Sequence, residues 1–356
     1  MRPNVLLALM ALLGLLLAAG CGRSPVGVVS PVPTQKMAWI GSYSGTPGPG
    51  DMVLDLVQTG SALAGRIVFG SPARYDRVSG AVISDSVYLT LDPRYSSNPS
   101  DFSLRAQVLA GGGLSGTMSL GSAGLNGALT CRALARRSIG TDRIHNLPFG
   151  VSGIVYDGSR LWLSSPSDYI RLNLDGTLAD TIVIYHDPLP AHWVSDAVMY
   201  DGTKLWGVFP ITIMGPGGST NVADLLGFTA GGRTPDSLRI GHRPLGLAHD
   251  GTHSWSLRSD PPAMIQFDGT GAVTDSLHLG IPDAYRLAFD GAHFWTVGWY
   301  LEGLYEVDAS GQVLSICDLP SSGLGGLPTG LAAEGSYLWY SEAAIGASVL
   351  HRMTIR

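Results

Sequence analysis

The sequence predicts an all-β chain: a small antiparallel β-barrel or sandwich, then a five-bladed β-propeller closed by a strand from its own N-terminal side. Three observations predict it. An acid, a glycine, three variable residues and a tryptophan recur as Asp157-Gly158…Trp162, Asp201-Gly202…Trp206, Asp250-Gly251…Trp255, Asp290-Gly291…Trp295 and Glu334-Gly335…Trp339. These copies lie 44, 49, 40 and 44 residues apart, the period of a four-stranded propeller blade. Glycine supplies 48 of the 356 residues beside strong apolar alternation, a composition suited to short strands joined by tight turns.

At the N-terminus Arg2 precedes an apolar run from Val5 to Leu17, followed by Ala18-Ala19-Gly20-Cys21. A positive start, a short apolar stretch and small residues before a cleavage point describe a secretory signal over residues 1–20. The run is 13 residues long, short for a membrane span of about 20. Ala18-Ala19-Gly20-Cys21 resembles the lipobox of bacterial lipoproteins. That resemblance implies acylation of Cys21 and a protein lipid-anchored to the bacterial cell envelope, at the outer membrane in a Gram-negative cell. Residues 21–36, with prolines at 25, 31 and 33, then read as a lipidated tether. Two cysteines remain, Cys131 and Cys317; in an exported chain they admit either one disulfide or two buried apolar thiols.

Residues 37–135 form the first β unit. Trp39–Tyr43 opens it, Met52–Val57 turns at Thr59-Gly60 into Leu63–Phe69, and Ala81–Ile83 turns at Ser84-Asp85 into Val87–Leu91. Phe102, Leu104, Ala106 and Val108 alternate with Ser103, Arg105 and Gln107, the period-two pattern of a strand buried on one face. Ser115–Leu120 and Leu125–Leu134 complete the set. The opening Trp-x-Gly-x-Tyr and the Val57-Gln58-x-Gly60-x-x-Leu63-x-Gly65 hairpin resemble small bacterial lipocalin- or avidin-like barrels. A barrel of this size holds one small apolar ligand or fills with side chains; a filled interior is expected.

Residues 136–356 form the propeller. Each repeat gives an apolar strand, the Asp-Gly turn, a strand carrying the tryptophan, a third strand ending near a second turn (Asp175-Gly176, Asp268-Gly269, Asp308…Gly311) and a fourth strand. The fifth repeat stops after its third strand, and Ser138–Ile144 is the expected replacement, since a ring must close or leave open edges. Blade two carries an insertion from Ile211 to Asp224 with Gly215-Pro216-Gly217-Gly218 inside it, read as a Gly-rich surface loop or a lid.

Both repeated turns fall on one rim, and their Asp, Gly and Trp residues read as scaffold. Ligand contacts are expected on the other rim, built from blade-to-blade connections and the loops between second and third strands. There the sequence places His192, Trp193, Asp196, Arg243, Arg258, Asp260, Asp283, Tyr285, Arg286, Trp299, Tyr300, Glu302 and Glu342. Aromatic residues mixed with arginines and acids suit a sugar, peptide or aryl ligand. Convergence of Asp196, Asp260, Asp283 and Glu342 would suit a hard cation such as calcium.

The net charge is −6, and only Lys36 and Lys204 are lysines, which argues against nucleic acid as partner. There is no Gly-x-Ser-x-Gly, His-Glu-x-x-His, Cys-x-x-Cys or P-loop. Gly111-Gly112-Gly113-Leu114-Ser115-Gly116 matches a dinucleotide fingerprint in letters but sits between strands. His249 and His253 flank a scaffold turn and read as surface residues. No catalytic residue, metal ligand or cofactor is assigned. The blade count and the "Asp-Gly…Trp" turn resemble YVTN-type and glutaminyl cyclotransferase-like propellers. The expected function is a non-catalytic envelope lipoprotein whose rim binds a peptide, glycan or partner protein. The alternatives are a metal-assisted hydrolase, lactonase or cyclotransferase-like enzyme using channel carboxylates, and a structural assembly platform.

Overall fold

A computed structural model describes the chain except residues 1–33, 46–47, 71–72, 97, 166–167, 184–196, 216–217, 230–231, 321–325 and 345–346. The signal, Cys21 and nearly all of the expected tether therefore lie outside the described residues. Eight antiparallel strands form the first unit: β1 (Thr34–Tyr43), β2 (Gly50–Thr59), β3 (Ala62–Phe69), β4 (Arg74–Ile83), β5 (Ser86–Leu91), β6 (Phe102–Val108), β7 (Leu114–Leu120) and β8 (Leu125–Ala133). They run up and down in chain order, and β1 pairs with β8, Trp39 opposite Ala133. The unit is thus a closed barrel. Its interior is packed with side chains, among them Trp39, Leu54, Leu56, Ile67, Phe69, Phe102 and Leu129.

Strands β1–β3 are apolar on both faces. Ala38, Ile40, Val53 and Val68 point outward and pack with Leu279, Ile281 and Ile316 of the second unit. The barrel is docked there through one continuous core. Charged contacts surround it. Arg136 pairs with Asp55 and, at 2.7 Å, with Asp318; Lys36 reaches Asp318 at 2.6 Å, and His278 meets Asp51 at 3.0 Å.

The link between the units is itself paired. β9 (Ala135–Arg137) adds in parallel to the outer edge of blade four, Arg136 opposite Ile316. β10 (Ile139–Leu147) then begins the ring. Blade one holds β11 (Gly153–Tyr156), β12 (Leu161–Ser164), β13 (Asp168–Leu172) and β14 (Leu178–Val183). Blade two holds β15 (Val198–Tyr200), β16 (Leu205–Gly215), β17 (Gly218–Thr229) and β18 (Gly232–Ile240). Blade three holds β19 (Leu247–His249), β20 (Ser254–Ser259), β21 (Pro262–Phe267) and β22 (Val273–His278). Blade four holds β23 (Ala284–Phe289), β24 (Phe294–Gly298), β25 (Gly303–Val307) and β26 (Val313–Asp318). Blade five holds β27 (Leu327–Glu334), β28 (Tyr337–Ala344) and β29 (Ala347–Ile355), with β10 as its outermost strand. The five inner strands β11, β15, β19, β23 and β27 contact one another in a closed ring.

One expectation changes and one open choice is settled. The blade-two insertion is paired and not an irregular loop: β16 and β17 stay in register through Gly215 opposite Gly218, so it is a long hairpin. Cys131 and Cys317 are both free and buried, one in the barrel core and one in blade four. Burial pushes the Cys131 thiol up to about 12 and that of Cys317 to about 11.

The repeated turn explains the repeated letters. In blades one to four one aspartate oxygen accepts the backbone N–H groups two and three residues on, at 2.7–2.8 Å. The other accepts the tryptophan Nε1–H at 2.6–2.8 Å. The intervening glycine adopts φ of 93° to 99°, open to glycine and strained for other residues. At Asp157, Asp201 and Asp250 burial works to raise the carboxyl pKa, and the indole and turn hydrogen bonds outweigh it, leaving it below the usual value. Blade five varies the device: Glu334 accepts from Trp339 at 2.7 Å and pairs with Arg352 at 2.8 Å. Trp339 is fully buried, against Leu161 and Leu163 of blade one. Trp339→Ala should therefore destabilise the protein by about 3–5 kcal/mol, read by denaturant titration.

Candidate functional site

The rim opposite the Asp-Gly turns is organised around Arg286. A bulge between Tyr285 and Leu287 interrupts β23, and Arg286 sits on it at φ 63°. That conformation breaks the strand's alternation and sends the side chain across the mouth of the axis. Its guanidinium donates to the carbonyls of Thr329 at 2.6 Å, Ser152 at 2.8 Å and Leu245 at 3.0 Å. These carbonyls belong to segments leading into blades five, one and three. Arg286 is 4% exposed and acts as a bolt across the ring. The inner strands line the axis, among them Ile154, Tyr156, Val198, His249, Leu287 and Leu331, around a space of about 70 Å³.

Beside the bolt lies an aromatic strip. The Arg286 guanidinium stacks over the Tyr285 ring at 3.8 Å. Tyr285 meets Trp299 edge-on, with centroids 4.6 Å apart; both are half-buried. Tyr300 is 39% exposed and stacks on Tyr75 of the barrel at 5.6 Å. The strip therefore ends where the barrel begins.

Asp283 shapes this strip from beneath. Its Oδ2 accepts the backbone N–H of Tyr300 at 2.8 Å and of Leu301 at 3.2 Å, while Oδ1 is buried without a hydrogen-bond partner. Burial raises its pKa, with the two N–H bonds working the other way. Glu302, at φ 54°, is held outward by Arg66 of the barrel at 3.3 Å. Arg66 also donates to the carbonyl of Leu301 at 3.3 Å. Glu342 is buried in blade five, 3.3 Å from His351 Nε2, with Tyr340 stacked on that imidazole.

On blade three Arg258 is half-buried, its Nε donating to the carbonyl of Pro261 at 3.3 Å, while Arg243 and Asp260 are exposed. His192, Trp193 and Asp196 lie outside the described residues. The structure thus groups Tyr285, Trp299 and Tyr300 on the rim, with Arg243, Arg258 and Asp260 on the neighbouring blade. Asp283, Arg286 and Glu342 are inside. Among the described residues no group of three or more His, Cys, Asp or Glu is placed to hold a metal ion.

His242 is a rim residue that sequence reasoning passed over in favour of Arg243. Its Nε2 lies 2.7 Å from Ser256 Oγ, and burial, with Arg258 nearby, lowers its pKa to about 4. The unfolded imidazole takes up a proton near pH 6.5 and the folded one resists until about 4. Stability is therefore full above pH 6.5 and falls as pH drops from 6.5 toward 4. His242→Gln should flatten that limb in a series of thermal melts between pH 4 and 7.

The structure is similar to that of glutaminyl cyclase from Myxococcus xanthus, with 12% identity, 63% of this chain and 99% of that chain covered, and a TM-score of 0.48. It is also similar to streptogramin B lyase (12% identity, 60% and 98% covered, TM-score 0.38). A third is the PQQ-bound aldose sugar dehydrogenase from Streptomyces coelicolor (11% identity, 62% and 99% covered, TM-score 0.37). The five-bladed propeller itself is established by the chain's own strand pairing. No protein-family model matches the chain, and no curated protein matches it in sequence.

Proposed function

We propose that this is an exported, lipid-anchored envelope protein whose propeller binds a peptide, glycan or partner protein without catalysis. The binding face is the rim opposite the Asp-Gly turns. The observation that carries this reading is the strip of Tyr285, Trp299 and Tyr300. Aromatic side chains that are only partly covered, with Arg243 and Arg258 on the neighbouring blade, supply the apolar area and polar handles from which recognition surfaces are built. The enzymatic alternative asks carboxylates to meet at one point. Asp283 is engaged by two backbone N–H groups, Glu302 by Arg66 and Glu342 by His351.

A ligand present at a hundred times its dissociation constant adds about 2.7 kcal/mol to stability, a rise of roughly 5–10 °C for a unit of about 200 residues. Screening envelope glycans and peptides by thermal shift should find such a ligand, and Trp299→Ala should abolish the rise. The assignment of this rim fails if no ligand found in the screen loses its shift in Trp299→Ala. The anchor rests on Ala18-Ala19-Gly20-Cys21. Cys21→Ala should move the protein from the membrane to the soluble fraction, and mass spectrometry of the native protein should find acyl chains on that cysteine.

A further inference from the structure

The residue immediately before each repeated tryptophan is Leu161, Leu205, Ser254, Phe294 or Leu338. In four blades this side chain packs with the tryptophan of the blade before it. Leu205 shares a core cluster with Trp162, Leu338 with Trp295, and Leu161 with Trp339. Phe294 meets Trp255 edge-on at 5.3 Å. Blade three carries Ser254 instead, next to Trp206 of blade two. Trp162, Trp255, Trp295 and Trp339 are buried, whereas Trp206 is half-buried. A cleft of about 460 Å³ opens in front of it, on the rim of the Asp-Gly turns.

The cleft has an apolar floor and a polar edge. Met199 and Phe267 are buried beneath it. The Trp206 indole is fixed by its bond to Asp201 at 2.6 Å and backed by Gly227, where a Cβ would already lie 3.3 Å from the ring. At the edge, Gln266 accepts from Thr274 through Oε1 at 2.8 Å, which leaves its amide N–H groups for a ligand. Asp268 holds its own turn through Oδ1, and His249 meets Ser254 through Nδ1 at 3.4 Å. Among the described residues no lysine or arginine lines the cleft, so nothing there recommends an anion. A fixed indole over an apolar floor, edged by hydrogen-bonding groups, matches a ring that is apolar on its C–H face and hydroxylated at its edge.

We propose that the cleft between blades two and three binds a neutral hexopyranose unit, packed against Trp206 with its hydroxyls bonded by Gln266, Asp268 and His249. The cleft opens on the rim opposite the Tyr285–Trp299 strip and stands independently of it.

The test titrates the purified full-length protein with methyl α-D-glucopyranoside, methyl α-D-mannopyranoside and N-acetylglucosamine. The readout is the indole N–H resonance of Trp206, assigned with Trp206→Phe. At least one sugar should move that resonance in a saturable way. Ser254→Leu, which gives blade three the side chain of three other blades, should weaken binding at least tenfold. Trp299→Ala should leave the titration unchanged. No response to any of the three sugars overturns the proposal, as does undiminished binding by folded Ser254→Leu. Loss of binding in Trp299→Ala would move the sugar to the other rim and overturn it equally. If Ser254→Leu does not fold, Gln266→Ala takes its place: a fivefold or greater loss is expected, and unchanged affinity refutes the assignment.

Discussion

The propeller depends on one carboxylate used twice. In four blades one oxygen of the turn aspartate closes the loop between the first two strands, and the other holds the indole of the second strand. Turn geometry and inter-blade packing are therefore set by a single side chain, so neither can drift without the other. The same bond holds a large aromatic in a fixed orientation, buried in blades one, three and four and facing a cleft in blade two. Glu334 shows which half of the device is indispensable. Its longer side chain still reaches the Trp339 indole, and its second oxygen goes to Arg352.

This is also why so much of the ring could be read from the chain. An acid, a glycine and a tryptophan at fixed spacing are all required by one local geometry, so they recur in every blade and announce the blade count. The closing strand was legible for a different reason: a fifth repeat one strand short needs a donor, and residues 138–144 stand immediately before the first repeat. Strict alternation in Phe102–Val108 likewise marked a barrel strand with one wet face.

The rim was less legible because its contacts are long-range. Arg286 reads as a surface cation in sequence, and a one-residue bulge turns it into a bolt among the carbonyls of three other blades. Glu302 is steered by Arg66, far away in the chain. The docking of barrel on propeller did leave a trace. Unbroken apolar runs such as Ile67-Val68-Phe69 mark strands covered on both faces, in contrast to the alternation of β6. The cleft beside Trp206 left one too, as a single serine in a column of leucines and phenylalanine.

The ring closes with β10 against β29, so the first strand of the propeller waits for residues 347–355. The barrel is complete once β8 has formed, but blade five stays open until β29 has been made. Until then β10 and β28 each present an unpaired edge, the template on which chains stick to one another. A cut or a bulky fusion within residues 347–355 would recreate that half-closed state in the mature protein. The vulnerable part of this ring is thus β29, the one strand that joins β10 to the rest of blade five.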